Sequence, residues 1–295
     1  MSWNYTGIWP MFNSLRKTLR KRGAGSASQG DLVIPAVELP CQTPDEDSSV
    51  RGRDGASDIE LPPPRLRRRV TGTDDGDWFL KSGEKSLDDL RRALASIERS
   101  YEDFNDVLEW GCGCGRILRH LPVPDFPRTL HGNEIDAEAI AWVSAHMQWI
   151  ATSLTKGEPP LPYPDGSFDL IFNHSVMSHL DEDYQDAWLA ELARVLRPGG
   201  VVTLTVHGQH AFDQFSSGFP EGSPLRKQIA ETFYRRGLFY TKDDHWNAEF
   251  PDFYHTAFHS VGYIFDHWSK FLRVCQYIPR GALDYQDMVV LRKFE

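Results

Sequence analysis

Residues 107–115 read Val-Leu-Glu-Trp-Gly-Cys-Gly-Cys-Gly. Two apolar residues lead to an acid, and glycines follow at the alternate positions Gly111, Gly113 and Gly115. Glycine is needed where the backbone takes positive φ or lies against a ligand. Arg116-Ile-Leu-Arg-His-Leu121 then reads as a short helix over 115–121, stopped by Pro122. A helix start offers free N–H groups and positive potential. The pattern is a strand, a glycine turn and a helix N-terminus, a form suited to cradling a nucleotide-like cofactor. A second apolar run, Thr129-Leu-His-Gly-Asn133, ends in Glu134-Ile-Asp136. An acid at the tip of the second strand is placed to hold a ribose diol.

Two further segments keep this order. Leu161-Pro-Tyr-Pro-Asp-Gly-Ser-Phe-Asp-Leu-Ile-Phe-Asn173 reads as the approach to a strand, and Leu192-Ala-Arg-Val-Leu-Arg-Pro-Gly-Gly-Val-Val202 as a helix end turning into the next. Together the four segments resemble the class I S-adenosylmethionine (SAM)-dependent methyltransferases, well over 75–207 and loosely over 208–295. A narrower likeness is to bacterial small-molecule and glycan methyltransferases. The resemblance implies SAM as cofactor and a Rossmann-like sheet of seven mostly parallel strands, with helices on both faces and a C-terminal antiparallel strand. It implies cofactor contacts from Glu109, Gly111, Cys112, Gly113, Gly115, Glu134, Ile135 and Asn173. The sequence departs from the family where an acid before Leu-Pro usually holds the adenine. Glu158 is displaced, and Thr155 or backbone groups are the alternatives.

The elements that must position these residues follow from periodicity. Leu87, Leu90, Leu94 and Ile97 have helical spacing, giving a helix over 86–100. Strands are expected at 106–110, 129–134, 149–154, 168–173 and 200–206, with helices at 136–148 and 183–196. Such alternation gives a parallel sheet with right-handed crossovers. Phe271–Tyr277 and Asp287–Lys293 read as a terminal antiparallel pair with Gly281 between them.

In an open α/β sheet, ligands lie beyond the carboxyl ends of the strands. Asn173 and His174 end the fourth strand and His207 the fifth, so these three are the catalytic candidates. Histidine has a suitable pKa for a general base, and His207 is the first choice. His179 reads as a packed helix histidine. His255 and His259 share a helical i, i+4 spacing, but no Glu follows the first His as a zinc protease requires, so no metal is expected.

Composition bounds the partners. The chain has 295 residues and a net charge of −10, with 40% hydrophobic residues. Residues 1–73 carry 11 Lys/Arg against 8 Asp/Glu, whereas 74–295 carry 21 against 34. An acidic body argues against nucleic acid as partner. No stretch approaches the roughly 20 apolar residues of a membrane span, and no secretory signal is visible, so a cytoplasmic location is expected. Residues 1–22 are basic without an acid, fitting a membrane surface, a protein partner, a targeting segment or a solvated helix. Residues 23–60 are Gly-, Ser- and Asp-rich and read as disordered linker. The Arg65–Arg69 cluster reads as a solvated approach. The division is thus an arm over 1–73 and a catalytic domain over 74–295. Between Gln209 and Trp268, 15 of 60 residues are aromatic, about twice the 12% of the whole chain. The stretch 208–268 is read as an insertion or lid over the site, or as a satellite core.

The first functional expectation is methyl transfer to a hydroxyl of a small molecule or glycan. The alternatives are a catalytically silent, partner-binding domain and a nicotinamide-dependent oxidoreductase. The latter needs a third glycine three residues after the second, where position 116 is Arg. The oligomeric state is open.

Overall fold

A computed structural model describes residues 59–121, 128–242 and 250–295. The basic segment 1–22, most of the expected linker and Pro122 lie outside the described residues. Helix α1 (Pro64–Thr71) is followed by α2 (Gly76–Ala95), whose N-terminus is capped by Asp75 accepting from the Asp77 and Trp78 N–H groups. Strands β1 (Asp106–Trp110), β2 (Thr129–Glu134), β3 (Ile150–Leu154), β4 (Phe168–Phe172) and β5 (Leu196–Val206) alternate with α3 (Ala137–His146) and α4 (Glu182–Val195). After β5 come α5 (Gln209–Ser217), α6 (Pro224–Arg236), β6 (Leu238–Thr241), β7 (Thr256–His259) and α7 (Val261–His267). The chain closes with β8 (Arg273–Ala282) and β9 (Gln286–Arg292).

Seven strands form one sheet in the order β3-β2-β1-β4-β5-β9-β8. The first five are parallel; β9 runs antiparallel to both β5 and β8. The expected Rossmann-like sheet with its antiparallel end is therefore present. Neighbouring residues on a strand point to opposite faces, and both faces are buried. Leu108, Ile171, Val202 and Val289 pack with Trp188, Leu189 and Leu192 of α4 and Ile264 of α7. Val107, Leu170, Val201 and Val290 pack with Leu87, Leu90 and Leu94 of α2 and Ile140 and Val143 of α3. Reversal of strand order beside β1 opens a crevice at the carboxyl ends of β1 and β4.

Several boundaries differ from expectation. The helix over 115–121 is only a 3-10 turn, Leu118–His120, because Gly115 still has φ +80° and little chain remains before Leu121 leaves the turn. Gly281 lies inside β8, beside a register shift between Ile278 and Ala282, and Ala282–Gln286 makes the reversal. The Arg65–Arg69 cluster is not a solvated approach but helix α1: Leu66 is buried against Phe79, Cys114 and Ala139. Two of its charges face the start of α3, where Arg65 bonds Glu138 and Arg69 bonds Asp136 at 2.9 Å, while Arg67 and Arg68 bond Asp74.

The aromatic stretch after β5 holds its own small core. Phe212, Phe233, Phe239 and Phe258 are buried together with Phe219 and Tyr285, and Phe212 stacks on Phe233 at 3.8 Å. Residues 256–259 are a strand, so His255 and His259 are not helical neighbours. Among the described residues, no group of His, Cys, Asp and Glu is arranged to hold a metal. No helix among them is long and apolar enough to cross a membrane.

Candidate active site

A cavity of about 740 Å3 opens at the carboxyl ends of β1, β2 and β4, within the range typical of small-molecule sites. One side is formed by the glycine turn and the tip of β2: Trp110, Gly111, Gly113, Glu134, Ile135 and Asp136. The other is formed by the turn after β4, with His174, Ser175, Val176 and His179, and by Phe250, Pro251, Phe253 and Tyr254. Helix α1 adds Leu66, Arg69 and Val70.

Local chemistry explains the turn. The N–H groups of Gly111 and Cys112 both donate to the Asn133 carbonyl, at 2.9 and 3.0 Å, and fold the chain back over β2. Gly111 has φ +74°, and a Cβ there would lie 2.5 Å from Val176 Cγ2. A Cβ on Gly113 would meet Val70 of α1 at 2.6 Å. Gly115 lies away from the cavity; its missing side chain makes room for Met147. Cys112 also lies off the cavity, buried at 2% exposure, and packs towards Gly132.

Glu134 ends β2 half-buried. Its Oε2 accepts from the Gly113 N–H at 2.7 Å, and its Oε1 from the Ile135 and Asp136 N–H groups at 2.7 and 3.1 Å. Burial raises its pKa, and those three N–H groups oppose the rise. Its carboxylate thus ties the glycine turn to the second strand and still borders the cavity. Asp136 caps α3 through the Glu138 and Ala139 N–H groups, as its position predicts. Thr155, Lys156 and Gly157 border the cavity where an adenine contact was sought. Glu158 does not, and accepts from the Tyr184 hydroxyl at 3.1 Å.

Glu109 is 3% exposed and its Oε2 has no hydrogen-bond partner among the described residues. Burial pushes its pKa up to about 8; Arg116 pulls it down and Glu134 adds to the rise. Arg116 lines the cavity and donates to Ser82 O at 2.8 Å and Ser86 Oγ at 3.0 Å. Glu109 itself does not border the cavity and lies beneath the glycine turn, behind Trp110 and Gly111, which do. Two positive-φ glycines at the cavity edge and an acid at the β2 tip fit a ligand that carries a diol and approaches the backbone closely. SAM carries such a diol.

The catalytic candidates separate. His174 borders the cavity, with Nδ1 3.4 Å from Ser86 Oγ, and burial with Arg116 holds its pKa well below 6.5. Asn173 sits below the surface, its Nδ2 donating to the Trp110 carbonyl at 3.1 Å. His207 does not border the cavity. Its ring lies 5.6 Å from His179 and 5.4 Å from Phe258. His179, read from sequence as packing, borders the cavity and stacks on Tyr254 at 4.3 Å. The signal for it was weak because the 3-10 turn Met177–His179 obeys no long periodicity. Ser175, Tyr254 and the α1 residues were also missed, since each reaches the site only by a turn or by chain packing.

Residues 108–204 match a family model described as "Methyltransferase domain". Over 100 residues the chain is 35% identical to a fatty-acid O-methyltransferase of Mycolicibacterium smegmatis, covering 34% of this chain and 36% of that protein. It is 34% identical over 143 residues to a malonyl-[acyl-carrier protein] O-methyltransferase of Hahella chejuensis, covering 45% and 50%. It is 25% identical over 172 residues to a tRNA N(3)-cytidine methyltransferase of Gallus gallus, covering 52% and 45%. The chain thus spans between about a third and a half of the length of these relatives. The sheet order, the glycine turn and the acid at the β2 tip are those of a Rossmann-like methyltransferase domain. Residues 108–204 are thus a methyltransferase domain of the class I type, whose cofactor is S-adenosylmethionine.

Proposed function

We propose that this protein transfers a methyl group from SAM to an oxygen of a small-molecule or glycan acceptor. The observation that carries the reading is the two-sided cavity: a cofactor cradle on the β1–β2 side faces an aromatic wall on the β4 side. Bound in the cradle, SAM supplies a methyl group on a positively charged sulfur, an already activated donor. Glu134 would hold the ribose hydroxyls, Glu109 the ammonium group, and Ile135 the adenine face. The backbone at Gly111 and Gly113 permits close approach.

The remaining work belongs to this chain: to hold the acceptor oxygen near the methyl, to exclude water and to accept a proton if the acceptor is a hydroxyl. Phe250 and Phe253 border the cavity as apolar surface for the acceptor, and His174 and His179 border it as neutral proton acceptors. Two of the relatives are named O-methyltransferases, which supports oxygen as the methylated atom. A relative acting on tRNA is set against the acidic body of this chain, 21 Lys/Arg against 34 Asp/Glu over 74–295, which disfavours a polyanion.

Thermal unfolding with S-adenosylhomocysteine, with NADH as control, tests the cofactor. At about 100 times Kd the ligand adds roughly 2.7 kcal/mol. Incubation with methyl-labelled SAM and panels of alcohols, sugars and carboxylic acids then tests the acceptor. A shift with NADH alone would reject the reading, and binding without any turnover would favour the silent partner-binding domain.

A further inference from the structure

A hydrogen-bonded chain runs from the cavity into the sheet through Ser175. This residue follows β4 with φ +65°, a conformation that costs a non-glycine residue on the order of 1–3 kcal/mol and persists where surroundings enforce it. Here the enforcement is visible. The Ser175 N–H donates to Thr205 Oγ1 at 2.7 Å, and Thr205 Oγ1 donates to Gln286 Oε1 at 2.6 Å. That orients the Gln286 amide, so its Nε2 donates to Ser175 Oγ at 2.9 Å. Thr205 and Gln286 are 0% and 1% exposed, and no bulk water competes for these bonds.

With Gln286 donating to it, the Ser175 hydroxyl keeps its own proton to give. Two acceptors lie in reach, His179 Nε2 at 3.2 Å and Ser178 Oγ at 3.3 Å. His179 Nδ1 is 2.7 Å from the His255 carbonyl. A carbonyl only accepts, so Nδ1 carries the proton of the neutral ring and Nε2 offers a lone pair. Both Ser175 and His179 border the cavity.

We propose that Ser175 and His179 are the proton-accepting pair of this site, with Gln286 and Thr205 as the residues that position it. The proposal deepens the methyltransferase reading and rests on it. As the acceptor oxygen makes its new bond, its proton passes to Ser175 Oγ while the proton of Ser175 moves to His179 Nε2. The resulting imidazolium keeps its Nδ1–H bond to the His255 carbonyl. Burial pushes the His179 pKa down to about 4, so the ring takes the proton in concert with bond formation rather than before it. His207, the histidine favoured by strand order, lies off the cavity and meets this chain from behind, 3.3 Å from Gln286 Nε2 and with its ring edge-on to His179.

A serine whose proton is drawn towards an imidazole becomes nucleophilic, which gives a test independent of the acceptor's identity. The probe is phenylmethanesulfonyl fluoride. Ser175 Oγ forms an O–S bond, the S–F bond breaks, fluoride leaves and the serine proton goes to His179. Intact-mass and peptide mass spectrometry should find the adduct on Ser175 in the wild-type chain. His179→Gln should slow its formation by at least about tenfold, and Gln286→Leu should slow it as well. Ser175→Gly, a variant that suits the positive φ, should abolish it. Circular dichroism checks that each variant folds. No adduct in the wild type, an adduct on another serine, or an unchanged rate in His179→Gln would overturn the pair. Calorimetry of the wild type with S-adenosylhomocysteine reads the cofactor separately: failure to bind there rejects the methyltransferase reading, whatever the adduct shows.

Discussion

Replacing Glu134 by Ala should weaken S-adenosylhomocysteine binding and also loosen the turn that binds it. The carboxylate has two duties. It accepts from three backbone N–H groups, those of Gly113, Ile135 and Asp136, and by the proposed function it accepts from the ribose hydroxyls. A hydrogen bond to a charged group contributes about 1.5–3 kcal/mol. Loss of one net ribose interaction of that size corresponds to a Kd increase of roughly 10- to 100-fold. The three N–H groups are less costly to strip, because Glu134 is half-buried and water can replace it. A stability loss of about 1–3 kcal/mol is expected. Glu134→Gln is the sharper variant. Both carboxylate oxygens face N–H donors, so an amide must turn its own NH2 against either Gly113 or the Ile135–Asp136 pair. It should therefore destabilise the turn although it is nearly isosteric. Calorimetry gives the affinities and urea unfolding the stabilities. An S-adenosylhomocysteine Kd within threefold of wild type in Glu134→Ala, with a native circular dichroism spectrum, would refute the ribose assignment.

Further outcomes follow from three residues. Glu109 has its pKa raised to about 8 in the free protein, so at pH 7 it is mostly protonated. Binding an ammonium group beside it should release about one proton. The calorimetric enthalpy at pH 7 should then depend on the ionisation enthalpy of the buffer, and Glu109→Gln should remove that dependence; buffer-independent wild-type binding would show that Glu109 does not hold the ammonium. The same raised pKa means that the folded state holds a proton the unfolded state has lost, so the contribution of Glu109 to stability is full below about pH 4.5 and is lost as pH rises towards 8. Urea midpoints of the apo protein should fall less steeply over that window in Glu109→Gln. Gly111→Ala places a Cβ 2.5 Å from Val176 at φ +74°. It should cost about 1–2 kcal/mol from backbone conformation alone and more from the clash, read as a lower Tm; an unchanged Tm would show that the turn relaxes freely. Phe212→Ala, at 1% exposure and stacked on Phe233, should cost about 3–5 kcal/mol in urea unfolding, whereas a loss under about 1 kcal/mol would show that the aromatic cluster is loosely packed.

The sequence by itself determined the sheet and the part of the cavity wall that Gly111, Gly113, Glu134 and Ile135 form. Alternating apolar runs placed β1, β2, β4 and β5 to within a residue or a few, because each strand is buried on both faces and carries its signal locally. Gly111, Gly113 and Glu134 were legible because they sit within one strand–turn–strand unit, where spacing along the chain is spacing in space. Tertiary structure decided the rest. The short span after Gly115 folds as a 3-10 turn because the positive-φ glycine uses up the room a helix needs. Arg65 and Arg69 of α1 look like part of a solvated run until the acids at the start of α3 are brought opposite them. His179 and Ser175 enter the cavity on a turn with no periodicity, while His207 is screened by packing from β7. Gln286 lies 111 residues from the serine it orients. Local pattern encodes which face of an element is buried; which side chains converge from distant elements is fixed only when those faces pack.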